Sequence, residues 1–348
     1  MAILGQRGGD TGLPNIMFAA TDTWTPDSNV EAMVYCIGGG GSGAIANEDV
    51  DYSASGGGAG GTAVSKYTFL ASTAYTITIG AGGASHKTTA AAASAGNAGN
   101  ASTIAVGGST FMTGGAGGAG AIGSGASCSG GTGGSGSGGN IANHTGGAGG
   151  ACDATKKASG GGAVGLWADG NAGQAGLPFV SSRLNVSYGG AINNYEQIGT
   201  AENPDHGTTD AYLYGANLAI PISMSPFPEI ISYQDDVFAP AGYEGNGYAD
   251  QYPHQNNHQV YTPGRIFNGG NHREESMASD YWYLAEPTGP FEGGKGVACG
   301  GTTMQNNYGS RVSCGAGSGA CTTNASSAIC QAARGGDGVV LIFPISMG

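Results

Sequence analysis

The sequence predicts a mostly β protein with very little helix, and three observations carry that expectation. Short runs rich in β-branched and aromatic residues recur at 32–37, 62–69, 74–79, 102–106, 109–112 and 338–343. No long stretch keeps the 3.6-residue apolar period of an amphipathic helix. Glycine, which weakens helix interiors, supplies 71 of the 348 residues.

Taken in order, each strand has its own justification. The run 32–37 reads Ala-Met-Val-Tyr-Cys-Ile, apolar and partly β-branched. Runs 62–69 and 74–79 alternate in polarity over part of their length, as half-buried strands do, and the polar break Ser72-Thr73 predicts that they form a hairpin. Runs 102–106 and 109–112 flank Gly107-Gly108, a pair able to take the two positive φ angles of a tight primed turn. The run 338–343, Gly-Val-Val-Leu-Ile-Phe, is continuously apolar and suits a central strand. Its upstream neighbours are glycine, so its partner must come from a distant part of the chain.

Composition excludes several classes. Disordered chains are rich in charge and proline, but here 10% of residues are charged and prolines number 13. No segment keeps glycine strictly at every third position with the proline a collagen helix needs. Eleven Lys and Arg against 24 Asp and Glu give a net charge of -13, which argues against nucleic acid as a partner. No apolar run approaches the ~20 residues that span a bilayer, so membrane insertion is not expected. Residues 1–14 show no charged start followed by an apolar stretch, so the protein is expected to stay where it is made or to leave by assembly or lysis. The seven cysteines contain no Cys-x-x-Cys, and four of them fall at Cys299, Cys314, Cys321 and Cys330, where either a disulfide or small buried thiols would fit.

Glycine is unevenly spread. Residues 177–291 hold 12 glycines and 11 of the 16 tyrosines, so an aromatic-rich segment stands between glycine-rich flanks. In the flanks, Gly114-Gly-Ala-Gly-Gly-Ala-Gly120 and Gly130-Gly-Thr-Gly-Gly-Ser-Gly136 carry Gly-Gly-X triplets. Two readings are open for such blocks. They are flexible linker, or they pack as polyglycine-II-like helices with three residues per turn, backbone bonded to neighbouring helices and X pointing outward. Ordering costs each glycine about 0.5–1 kcal/mol more than alanine, so packed blocks need those intersegment bonds.

Several of these elements together resemble a known family. Phe18-Ala-Ala-Thr-Asp-Thr-Trp-Thr-Pro26, followed by Val30-Glu-Ala-Met-Val-Tyr-Cys-Ile-Gly-Gly-Gly-Gly41, is similar to the opening of the glycine-rich domain of bacteriophage tail fibres and related virion appendages. The likeness continues through Gly56-Gly-Gly-Ala-Gly-Gly-Thr62, Tyr75-Thr-Ile-Thr-Ile-Gly-Ala-Gly-Gly83 and the ending Gly335-Gly-Asp-Gly-Val-Val-Leu-Ile-Phe343. The opening lacks the family's Val between Thr25 and Pro26, and residues 177–291 have no counterpart in the pattern. The resemblance implies a glycine-rich β-sandwich with its first strand, around 33–37, and its last, around 339–343, in one sheet. It divides the chain into an N-terminal attachment peptide at 1–17, a glycine-rich β domain at 18–176 and 292–348, and an inserted region at 177–291. It further implies a homotrimer on the virion, assembled in the host cytoplasm, that meets other virion proteins through its N-terminal region.

Catalysis is poorly supported by the residues. The carboxylates Glu229, Asp235, Asp236, Glu274 and Glu275 could be considered for glycan cleavage, but acids are the default surface of so acidic a chain. No Gly-Lys-Ser/Thr follows any glycine run, and no cofactor is expected. His254 and His258, with His272 and Glu274, hint at a metal, yet Gln255-Asn-Asn-His258 beside Pro253 is a poor helix and reads as a polar loop, so no metal site is assigned.

Binding is better supported. Tyr243, Tyr248, Tyr252, Tyr261, Tyr281, Trp282 and Tyr283 fall within 41 residues that also hold five asparagines. Tyr and Trp give large contact area with one polar tip, and Asn and Gly adapt hydrogen bonds, a mixture that suits a saccharide. The same rings would also serve as the core of the inserted region or as a subunit interface. The expected function is therefore non-enzymatic attachment of a tail fibre or appendage to the host surface, through a glycan or an outer-surface protein. The alternative is an extracellular filament or matrix protein assembled through glycine-rich faces.

Overall fold

A computed structural model of the chain describes residues 2–4, 15–47, 52–88, 92–124, 127–153, 157–166, 168–176, 184–187, 189–190, 276–277, 280–284, 291, 293–294, 296–299, 306–308, 312, 314–323 and 329–347. All regular structure among them is strand. Two antiparallel sheets form a sandwich. The larger runs Ala2–Leu4, Asn15–Phe18, Val339–Met347, Val30–Ile37, Thr62–Phe69, Ala142–His144, and the smaller runs Ser109–Gly114, Ser102–Val106, Tyr75–Thr78, Asp22–Trp24.

The orphan last strand finds its partner at the start of the chain. Val339–Met347 pairs with Val30–Ile37 from Val339 opposite Ile37 to Met347 opposite Val30, and Val30–Ile37 pairs in turn with Thr62–Phe69. Its continuous apolar run is explained because alternate residues enter two different cores, as in sheets covered on both faces. Val340 and Ile342 join Phe18, Val30, Val34, Cys36, Tyr75, Ile77 and Ile104 between the two sheets. Val339 and Leu341 face the other way, with Tyr35 and Ile37, onto Val164, Leu166, Phe291 and Cys314. Trp24 of the Thr-Trp-Thr-Pro element closes the sandwich edge, its ring 4.8 Å from Phe69 in a T-shaped contact.

Turn chemistry behaves as expected in one place and differs in another. Gly107 and Gly108 take φ of 56° and 82° and join Ser102–Val106 to Ser109–Gly114 in a tight hairpin. The hairpin expected at Ser72-Thr73 does not form, because Thr62–Phe69 lies in the larger sheet and Tyr75–Thr78 in the smaller. The linking residues cross between the sheets instead. Ser72, at φ 57°, donates its N–H to the Pro26 carbonyl, Ala71 to Asn29 Oδ1, and Leu70 to the Tyr75 hydroxyl. These bonds tie the break to a third segment, which a two-strand turn would not use.

The glycine blocks are ordered. From one edge of the sandwich the segment 38–44 runs outward, surrounded by six others. Gly38, Gly41 and Ala44 donate to Gly61, Gly58 and Ser55; Gly39 and Ser42 donate to Asn100 and Asn97; Gly40 donates to Gly336. Gly117 and Gly120 donate back to Gly39 and Ser42, Ser318 and Cys321 to Gly41 and Ala44, and Gly83 to Gly40. These bonds measure 2.8–3.0 Å, and four of the six neighbours are met at every third residue of 38–44. A helix of three residues per turn without internal bonds produces that pattern, with its N–H and C=O groups pointing to different neighbours in turn.

Close packing rather than conformational freedom explains the glycines. Among the described glycines only Gly107, Gly108, Gly138 and Gly315 have positive φ. On Gly38, Gly60 or Gly117 a Cβ would overlap the carbonyl oxygen of Gly115, Gly38 or Gly58 respectively. At the bundle's outside the X residues point outward, as the triplets predict. Ser129, Thr132 and Ser135 are exposed while Gly131 and Gly134 are buried.

Candidate functional site

The glycine bundle has two ends with different properties. One joins the sandwich, since 38–44, 55–61 and 333–338 all meet the same edge of the larger sheet at Ile37, Thr62 and Val339. At the other end the segments pass into short strands. Ile45–Asn47 pairs with Ala92–Ser94 and Cys321–Thr323, which continues through Gly296–Cys299 to Leu184–Ser187. A second sheet there runs Ser276–Met277, Asp280–Leu284, Asn306–Tyr308, Ile329–Ala332, His86–Thr88. Tyr52–Ala54 pairs with Ile122–Ser124 beside them. The chain therefore changes direction at this end, 38–47 running antiparallel to 52–61, 80–88 to 92–101, 114–124 to 128–137 and 314–323 to 329–338.

The inserted region is anchored at the same end. Leu184–Ser187 lies near its start and Asp280–Leu284 near its close, each paired into one of these sheets. Of the aromatic residues singled out for binding, Tyr281, Trp282 and Tyr283 occupy consecutive positions on Asp280–Leu284, with Tyr281 opposite Ser276, Trp282 beside Asn306 and Tyr283 beside Asn307. Tyr243, Tyr248, Tyr252 and Tyr261 lie outside the described residues. So do His254, His258, His272 and the carboxylates Glu229, Asp235, Asp236, Glu274 and Glu275.

Other polar groups at this end were not conspicuous in the sequence. Asn97 Nδ2 donates to the Ala84 carbonyl at 3.1 Å and lies 2.6 Å from His86 Nε2, while Ser94 Oγ is 3.5 Å from His86 Nδ1. An amide nitrogen can only donate, so Nε2 accepts and the ring proton sits on Nδ1. The arrangement fixes the imidazole between Ser94 and Asn97. Among the described residues no group of three or more His, Cys, Asp and Glu is placed to hold a metal ion. No helix among them is long and apolar enough to cross a membrane.

Cysteines are the more distinctive chemistry. Cys128 and Cys152 face each other across an antiparallel bridge, and Cys321 Sγ lies 2.8 Å from Cys330 Sγ. The hydrogen bond from Cys152 lowers the Cys128 pKa to about 6, while the same pairing and burial push Cys152 up. Burial also raises Cys330, next to Cys321. Only the sequence separation of each pair, 24 and 9 residues, was legible beforehand, and that alone does not select a partner.

The bundle thus carries a cluster of chain reversals on a backbone-bonded platform, opposite a sandwich that holds the two ends of the glycine-rich flanks together. No curated protein sequence matches the chain. A family model described as a glycine-rich domain matches residues 18–219, more than half of it, and the chain belongs to that family.

Proposed function

We propose that the protein is a virion structural component, a phage tail fibre or appendage that attaches the particle to the host cell surface without acting as an enzyme. One observation supports this reading most: the chain reversals and both anchors of the aromatic-rich insertion gather at the end of the glycine bundle away from the sandwich. A scaffold braced by regular backbone bonds that presents loops at one end is the arrangement recognition sites commonly use. The Thr23-Trp-Thr-Pro26 opening and the Gly335 to Phe343 ending, similar to those of phage appendage domains, point the same way. In this reading Tyr243, Tyr248, Tyr252, Tyr261, Tyr281, Trp282 and Tyr283 meet a host glycan or outer-surface protein. The N-terminal region docks on other virion proteins, and three copies assemble.

Gold-labelled antibodies against the purified chain should decorate one appendage of a particle, and the chain should bind bacterial envelope glycans on an array. Absence of both would sink the proposal. A second reading, an extracellular filament assembled through glycine-rich faces, is favoured by the outward rows of small residues such as Ser129, Thr132 and Ser135. Fibrils formed by the isolated chain without any virus would select it.

A further inference from the structure

Two cysteine pairs face each other at the far end of the bundle, and we infer that each is a disulfide-forming site, Cys128 with Cys152 and Cys321 with Cys330. Cys128 and Cys152 exchange both backbone hydrogen bonds at 2.9 Å. That is the hydrogen-bonded pair of an antiparallel ladder, with Cα atoms ≈ 5.5 Å apart, within the span a disulfide bridges. Both side chains turn to the same side: Cys152 Sγ lies 2.8 Å from the Ala54 carbonyl oxygen, and Cys128 Sγ lies 3.5 Å from Ser53 Oγ.

The second pair is closer still. Cys321 and Cys330, both 0% exposed, sit on Cys321–Thr323 and Ile329–Ala332 in one small core with Ile45 and Ala332. Their sulfurs, 2.8 Å apart, are nearer than two non-bonded sulfurs normally come. Cys36 and Cys314, by contrast, belong to the two cores on either face of the larger sheet. They are expected to stay thiols.

The oxidant is a small-molecule disulfide such as oxidised glutathione. One cysteine thiolate of a pair attacks it, breaking its S–S bond, forming a mixed disulfide and releasing one reagent thiol. The second cysteine then attacks the mixed disulfide, the protein S–S bond forms and the second reagent thiol leaves. Two electrons pass to the reagent and the two cysteine protons end on its two thiols. In the first pair Cys128 is the attacking group, because the hydrogen bond from Cys152 favours its thiolate. A chain made in a reducing cytoplasm would carry the thiols and acquire the bonds once outside. The bonds would staple the reversal after Ser124 to Cys152 and close the reversal between Thr323 and Ile329. The inference does not depend on what the end binds.

The test uses the purified full chain, unfolded and then refolded with reduced and oxidised glutathione near pH 8, unfolded again in iodoacetamide and cut with trypsin. Tryptic peptide 88–156, which holds Cys128 and Cys152, is expected without alkyl groups and two hydrogens light. Peptide 312–334 is expected alkylated at Cys314 only, again two hydrogens light. Full alkylation of these four cysteines, or links between other partners, would overturn the inference. Cys152→Ala should abolish the link in 88–156 and leave that in 312–334, and a new link from Cys128 to another cysteine would count against the assigned pairing. The oxidised protein should melt about 5–10 °C above the reduced one. An unchanged or lower melting temperature would overturn the claim that the bonds fit the native geometry.

Discussion

The carbonyl oxygen of Gly335 occupies the place a Cβ on Gly82 would need. Gly82 is also held by its N–H, which donates to Asp337 Oδ1 at 2.7 Å, so it cannot retreat from the contact without breaking that bond. Its neighbour Gly83 donates to Gly40, and a Cβ there would overlap the Asn97 carbonyl. Gly82→Val and Gly83→Val should each destabilise the fold by at least about 3 kcal/mol, because backbone rather than a flexible side chain would have to move. Denaturant unfolding with circular dichroism checks this. Neither glycine has positive φ, so a loss smaller than that of an ordinary turn glycine would contradict the close-packing account.

Gly107 supplies the contrast. Its φ is 56° and a Cβ would meet nothing within 4 Å, so only backbone conformation requires glycine there. Gly107→Ala should cost about 1–2 kcal/mol. Gly107→Asn, which restores a favoured primed-turn dipeptide, should recover most of that loss. Equal losses for the two substitutions, measured by the same unfolding curves, would rule out the turn assignment.

These two glycines mark how far the sequence can be read. Local signals were legible: 62–69 and 102–106 coincide with the strands Thr62–Phe69 and Ser102–Val106, and Gly107-Gly108 makes the turn its composition suggests. The outward position of X in Gly-Gly-X followed from the period of three. What was not legible depends on long-range pairing. Ile45–Asn47 and Cys321–Thr323 are three residues long, and their partnership is fixed by the bundle register that joins Cys321 to Ala44 rather than by alternation. The link after Phe69 read as a hairpin because its bonds to Pro26 and Asn29 come from a distant segment. Buried serines were equally silent: Ser159 accepts the Gly56 N–H and donates to Gly150, and Ser318 accepts the Gly43 N–H and donates to Ala333. At the candidate site, the sequence could group the aromatic residues, but only the pairing of Asp280–Leu284 with Asn306–Tyr308 assigns Tyr281, Trp282 and Tyr283 to the far end.

Alkali should weaken the sandwich. Cys36 is buried between the sheets with its thiol against the Ser102 carbonyl, and burial pushes its pKa up to about 12. The unfolded thiol ionises near 8.5. Between those values the unfolded chain loses a proton that the folded chain keeps, so this group's contribution to stability falls as pH rises, by up to ~1.4 kcal/mol per pH unit. Burial raises Cys314 as well, so it acts in the same direction. Unfolding midpoints from pH 8 to 11 should decline, with a shallower decline in Cys36→Ala relative to its own value at pH 8. Native Cys36 should resist iodoacetamide until the protein unfolds.

Assembly is predicted from the cost of ordering glycine. A chain with 71 glycines gains by burying backbone against copies of itself, and the resemblance to phage appendages suggests three. Light scattering at micromolar concentration should return a trimer of the 34.0 kDa chain. A monomer under those conditions would contradict the prediction.

The aromatic segment and the glycine bundle should separate in their effects. Glycine helices offer mostly backbone and small side chains, which supply rigidity but little discrimination, whereas recognition needs large, preorganised and partly polar anchors. Trp282 is held on a strand paired with Asn306–Tyr308 at the far end, and Tyr248 lies outside the described residues. Trp282→Ala and Tyr248→Ala should each weaken attachment to host cells at least tenfold, the loss of about 1.4 kcal/mol from an anchor residue. The unfolding midpoint and the trimer should be unchanged in both. Adsorption of purified protein to cells, measured beside light scattering and thermal unfolding, decides the matter. If the two variants are instead insoluble, those rings are core, and binding has to be sought among the chain reversals beyond Asn47, Thr88, Ser124 and Thr323.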